Sequence, residues 1–260
     1  RLGGDEFKAV LPGTVDIGLL EMLAKTLIEQ VSRPYQIEGH RVTIGASVGI
    51  AIGDPGRACA DSLVRNADLA LYAAKAAGRG KHCFYEPSMH SEATDRQLLE
   101  NDLRQALERD ELTVVYQPIV RTAGEDLAGF EALVRWNHPK RGAISPAKFI
   151  PLAEECGMIG KIGEWMLRQA TAEAATWPGA VRVAVNLSPI QFNDPRLIEI
   201  VEGALESSKL QPNRLELEIT EGVFLAEGTS TEDTFAGLKE LGVRLALDDF
   251  GTGYSSLGYL

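Results

Sequence analysis

Five residues with oxygen-bearing side chains stand at or beside the ends of short apolar runs: Glu131, Asn186, Glu218, Asp248 and Asp249. VRVAV runs into Asn186, LEL into Glu218 and LAL into Asp248 and Asp249, while Glu131 follows Phe130. Taken singly, each reads as a surface residue just past a strand. Burying a carboxylate unpaired is costly, so four strands doing this together asks for a cause. Parallel α/β folds place ligands at the carboxyl ends of their strands. Converging there, the five residues would form an all-oxygen cluster carrying four carboxylates. Oxygen donors without His or Cys select hard cations, so Mg²⁺ or Mn²⁺ is expected rather than zinc. Adjacent Asp248 and Asp249 cannot point the same way on an extended chain, but at a strand end they can serve two ions or bridge them. Two ions about 3.5–4 Å apart suit in-line attack of water on a phosphodiester, and they reconcile an acidic site with an anionic substrate.

These positions rest on two blocks of elements. In the second, the strands expected are 112–116, 129–134, 181–185, 215–217 and 243–247. Helical stretches over 146–156, 162–176, 194–207 and 231–241 separate the later ones. Such alternation predicts a parallel sheet, open or closed into a barrel. In the first block, RLGGDEFKAVL reads as a Gly-Gly-Asp turn followed by an apolar strand. Residues 17–31 carry the apolar rhythm of an amphipathic helix, and 35–37 with 41–44 form a hairpin around Glu38, Gly39 and His40. Asp61 reads as the N-cap of a helix over 62–77, which Gly78 and Gly80 end. A charged helix over 91–109 reads as a linker.

The chain has 260 residues and a formal net charge of −11. Residues 1–90 hold ten basic and ten acidic side chains, so the whole excess lies in 91–260. A broad basic surface for duplex nucleic acid is therefore not expected. No apolar run approaches the roughly 18 residues of a membrane helix. Cys59, Cys83 and Cys156 have no paired spacing, which argues against a disulfide framework or thiolate zinc site. Nor do His40, His82, His90 and His138 show metal-ligand spacing. The chain begins at Arg1 and stops at Leu260 inside what read as motifs, and is taken as a piece of a longer protein.

EALVRW at 131–136, NLSP at 186–189, LELEITE at 215–221 and DDFGTGYSSL at 248–257 resemble the EAL-domain family, phosphodiesterases that cut cyclic di-GMP. YQPIV at 116–120 and SPAKFIPLAEECGMI at 145–159 add to the match. The resemblance implies a TIM-like (β/α)₈ barrel with a modified first strand, and the linear dinucleotide pGpG as product. It implies Glu131, Asn186, Glu218, Asp248 and Asp249 as ligands of two Mg²⁺ or Mn²⁺ ions, with Glu131, Asp248 and Asp249 catalytic. Gln117 and Arg135 would lie against the substrate, and Glu221 would steady the loop 250–256, which couples the site to homodimerisation. A Lys, a Glu and a Gln that the family places further on would lie beyond Leu260, so the 260-residue chain alone is expected to be inactive.

GGDEF at 3–7, TIGASVGIA at 43–51 and ADLALYAAKAAGRGKH at 67–82 resemble the later part of a GGDEF diguanylate cyclase domain. Gly3 and Gly4 would give the turn positive φ, Asp5 a metal ligand and Glu6 a polar contact. Lys75 and Arg79, four apart on one helix face, would reach the phosphates of GTP. The expected organisation is α/β throughout. A partial GGDEF domain, a cyclase-like α/β sandwich, occupies 1–86, a linker helix 87–110 and a partial EAL barrel 111–260. The function expected is cyclic di-GMP hydrolysis in a tandem GGDEF–EAL signalling protein with cytoplasmic catalytic domains. Two alternatives are a non-catalytic cyclic di-GMP receptor and a cyclase with a regulatory EAL half.

Overall fold

The computed structural model describes residues 1, 3–13, 16–53, 59–121, 126–220, 223 and 229–248. The chain divides into two compact units, Arg1–Leu98 and Leu99–Leu260. Among the described residues no helix is long and apolar enough to cross a membrane.

In the first unit, α1 (Ile17–Val31) starts where the Asp16 carboxylate accepts from the Gly18 N–H at 3.2 Å. The next turn is a tight hairpin. Strands β1 (Tyr35–Ile37) and β2 (His40–Val42) pair antiparallel, with Glu38 and Gly39 at φ 50° and 84°. Positive φ at both central residues twists the turn the way paired strands twist. Strands β3 (Val48–Ile50) and β4 (His82–Phe84) are parallel, and α2 (Ala60–Ala76) packs on β3. Gly49 makes that packing possible, because a Cβ there would overlap the Ala67 carbonyl and the Leu71 backbone. Two expectations fail here. The N-cap of α2 is Cys59, and Asp61 lies inside the first turn, where its charge still favours the helix dipole. No strand forms over 7–11: among the described residues no other strand pairs with it, and Phe7 and Val10 are 73% and 81% exposed. Unpaired backbone donors and acceptors then stay with water.

The division between units falls within α3 (Ser88–Ala106), whose Leu99, Leu103 and Ala106 are buried in the second unit's core. That unit is built on one sheet of β5 (Leu112–Val120), β6 (Leu127–His138), β7 (Gly142–Ile144), β8 (Arg182–Leu187), β9 (Leu215–Thr220) and β10 (Arg244–Asp248), in the order β10-β9-β8-β6-β5 with β7 also pairing β6. Strand β5 runs antiparallel to β6, so the sheet is not wholly parallel as alternation alone predicts. From β6 onward, β8, β9 and β10 are parallel neighbours. Helices α4 (Pro146–Glu155), α5 (Ile159–Ala175), a short α6 (Pro189–Phe192), α7 (Leu197–Ser208) and α8 (Thr229–Glu240) supply the connections.

Burial along β9 alternates strictly. Leu215, Leu217 and Ile219 are buried, while Glu216, Glu218 and Thr220 are half-buried. The buried face meets Phe149, Ile162, Leu167, Phe192 and Val201 from the helices. Between β5 and β7 the buried Trp136 indole of β6 donates to Glu111 Oε2 at 3.0 Å, which gives both buried polar groups a partner. The other sheet face carries the polar residues.

Candidate active site

Register places the expected residues. Opposite partners share a face, and along one strand every second residue returns to it. Asn186 on β8 is the direct partner of Glu218 on β9. Glu131 on β6 partners Ala184, two residues before Asn186, and Gln117 on β5 partners Glu131. Ala246 on β10 partners Glu218, and Asp248 lies two residues further along. Gln117, Glu131, Arg135, Asn186, Glu218 and Asp248 therefore share the face opposite the helix-packed core. Their rows lie roughly 7 Å apart, two residues of strand rise.

The closest contact joins Asn186 Nδ2, which donates, to Glu131 Oε1 at 2.7 Å. Burial, reinforced by the charges of Glu131, Asp248 and Glu216, pushes the Glu218 carboxyl up to about 7. Beneath it, Glu216 accepts from Arg182 Nη1 at 2.7 Å. Arg135 turns its Nη1 to the Val134 carbonyl at 2.9 Å.

Whether this face suits a cation can be judged from its donors. They are all oxygen, and the upward push on Glu218 comes first from burial and then from the neighbouring carboxylates, a charge crowding that a cation would relieve. Among the described residues, no three His, Cys, Asp or Glu side chains are grouped as a metal site. The expected set includes Asn186, which is none of these types, and Asp249, which lies outside the described residues along with Glu221. The chemistry fits a hard cation.

A clamp that sequence reasoning did not single out holds the end of β8. Ser188 and Gln191 form a capping box: Ser188 Oγ accepts from the Gln191 N–H at 3.3 Å, and Gln191 Oε1 accepts from the Ser188 N–H at 3.1 Å. The Ser188 hydroxyl also donates to Glu154, whose partial burial raises its carboxyl. Gln191 is buried against Gly163 of α5, where a Cβ would overlap its amide. The signal was present, because Ser followed three residues later by Gln is the capping-box spacing.

The first unit's expected site is only partly assembled. The Glu6 N–H donates to the Gly3 carbonyl at 3.0 Å, closing a turn with Gly4 at φ 55°, while Gly3 is not in the positive-φ region. Asp5 and Glu6 are exposed. Lys75 and Arg79 do not share a helix face. Helix α2 stops at Ala76, Gly78 turns to φ 105°, and Arg79 follows at φ 55°, outside the helix. The left-handed glycine ends the helical path before it reaches Arg79.

A mixed α/β chain with carboxylates and amides on one sheet face, among them Asn186, Glu218 and Asp248 near the carboxyl ends of the parallel strands β8, β9 and β10, defines a class of α/β site proteins. Comparison with known proteins gives the family. Residues 100–260 match the model described as EAL domain, and residues 1–81 the one described as diguanylate cyclase, GGDEF domain. The chain belongs to the EAL-domain family, whose solved members are TIM-barrel-like. An uncharacterised signalling protein of Caulobacter vibrioides is 47% identical over 262 residues, covering 100% of this chain and 32% of that protein. The bifunctional diguanylate cyclase/cyclic di-GMP phosphodiesterase MucR of Pseudomonas aeruginosa is 42% identical over 264 residues, covering 100% of this chain and 38% of MucR. A solved MucR phosphodiesterase in complex with c-di-GMP matches with a TM-score of 0.59 at 44% identity, over 63% of this chain and 67% of that one. The chain thus spans well under half of these relatives' own length.

Proposed function

We propose that residues 111–260 belong to a cyclic di-GMP phosphodiesterase, joined through a linker at 87–110 to a GGDEF unit at 1–86. The observation that supports this most is that Glu131, Asn186 and Glu218 stand on one face of three adjacent parallel strands, with Glu218 pushed up to about 7 by burial and then by its acidic neighbours. In this reading Glu131, Asn186, Glu218, Asp248 and Asp249 hold two Mg²⁺ or Mn²⁺ ions. Bound there, the ions supply Lewis acidity and charge neutralisation at the phosphodiester.

The chain's own residues do the rest. Asn186 donates through Nδ2 to Glu131, which turns its Oδ1 away as an acceptor and fixes the carboxylate. Gln117, opposite Glu131, offers an amide to the substrate, and Arg135 a guanidinium suited to two phosphate oxygens. Water adds to one phosphorus and the bond to the 3′ oxygen breaks. A 5′-phosphate and a 3′-hydroxyl result, which is linear pGpG.

The test is the longer protein incubated with cyclic di-GMP and, separately, with GTP, each with and without Mg²⁺. Mg²⁺-dependent pGpG is the expected product from cyclic di-GMP. A well-folded protein that forms none overturns the proposal. The 260-residue chain alone is expected to show no turnover.

A further inference from the structure

We propose that the Arg182–Glu216 ion pair is a charge-balancing floor beneath the cation face, tuning its affinity for divalent ions without supplying a ligand. The inference rests on the cation-binding reading given above.

The geometry carries it. Arg182 Nη1 lies 2.7 Å from Glu216 Oε2, with side chains only 29% and 20% exposed. Glu216 stands in the row of Glu131 and Ala184, two residues before Glu218 on the same face. The charged groups facing it are Glu131 in its row, Glu218 above and Arg182 below. Its partner on β10, Arg244, directs Nε to the Asn213 carbonyl at 3.1 Å.

One row is roughly 7 Å, inside the screening length at physiological salt, and partial burial weakens screening further. A lone Glu216 would strengthen the pull on a cation and could rise to join the ligands. A lone Arg182 would repel the cation. Paired, the two charges cancel, and the contact holds Glu216 away from Glu218. A full unit charge at that separation changes divalent affinity by about tenfold.

Mn²⁺ binding to the 260-residue chain tests this, read from the electron paramagnetic resonance signal of free Mn²⁺. Glu216→Gln leaves Arg182 unbalanced and is expected to weaken binding about tenfold. Adding Arg182→Gln removes the surplus charge and is expected to restore affinity to within about twofold. A purely structural contact would not be rescued this way, because the double variant lacks it too. Wild-type affinity in Glu216→Gln, or no recovery in the double variant, overturns the proposal. Arg182→Lys keeps the charge should Glu216→Gln unfold, and a tenfold loss there overturns it as well. Absence of Mn²⁺ binding by the folded wild type defeats the underlying cation reading, and this proposal with it.

Discussion

Asn186 near the end of β8 donates its side-chain amide to Glu131 in the middle of β6 across 2.7 Å, tying two neighbouring strands on the polar face. Asn186 is exposed, so the bond's value lies less in stability than in orientation. Asn186→Ala is expected to stay within about 1 kcal/mol of wild type without divalent ions. It should lose most of the thermal shift that MgCl₂ gives the wild type. Melting curves with and without MgCl₂ check both halves, and an undiminished shift would show that Asn186 holds nothing.

Glu218 gives the pH dependence. Its folded carboxyl sits at about 7, above the ordinary 4.5, so the folded state binds this proton more tightly than the unfolded chain. Stability of the cation-free protein therefore falls as pH rises between 4.5 and about 7, and the cost is complete above that window. Glu218→Gln is expected to stabilise the cation-free protein at pH 8 by on the order of 1 kcal/mol, discounted for its half exposure, and to do nothing at pH 4. Denaturant midpoints at the two pH values decide the matter.

Gly163 of α5 is where two effects oppose. Alanine gains about 1 kcal/mol of helix propensity. Its Cβ also displaces the Gln191 amide and opens the Ser188–Gln191 capping box, a loss of about the same size. Gly163→Ala should accordingly change global stability little while speeding hydrogen exchange at the Ser188 and Gln191 amides. Unchanged exchange would mean that Gln191 keeps its place.

Gly49 has no such relief, since an added Cβ meets α2 backbone rather than a side-chain tip. Gly49→Ala is expected to destabilise the β3–α2 packing by about 3 kcal/mol. Hydrogen exchange should accelerate in α2, β3 and β4 and stay as it was in β8 and β9. Retained protection in α2 would contradict the close approach.

Much of the site was legible in the sequence because strand cores and their polar ends are written locally. Glu131, Asn186 and Glu218 stand beside short apolar runs, and each lies on the shared face. The Lys75–Arg79 pairing misled because equal spacing implies one face only while the helix lasts, and Gly78 ends it. Residues 7–11 misled for a related reason: an apolar run becomes a strand only where another strand accepts its hydrogen bonds. The Arg182–Glu216 pair, 34 residues apart in sequence, could not be read from spacing.

By itself the sequence determined the residue types and their periods: oxygen donors without His or Cys, apolar runs of strand length, and motifs matching the EAL family. Tertiary structure alone decided that Gln117, Glu131, Asn186, Glu218 and Asp248 share one face, that β5 runs antiparallel to β6, and that Arg182 sits under Glu216. The reason is physical. A residue's type and its neighbours' spacing belong to one chain segment, but register belongs to pairs of segments, and slipping it by one residue sends every side chain to the other face.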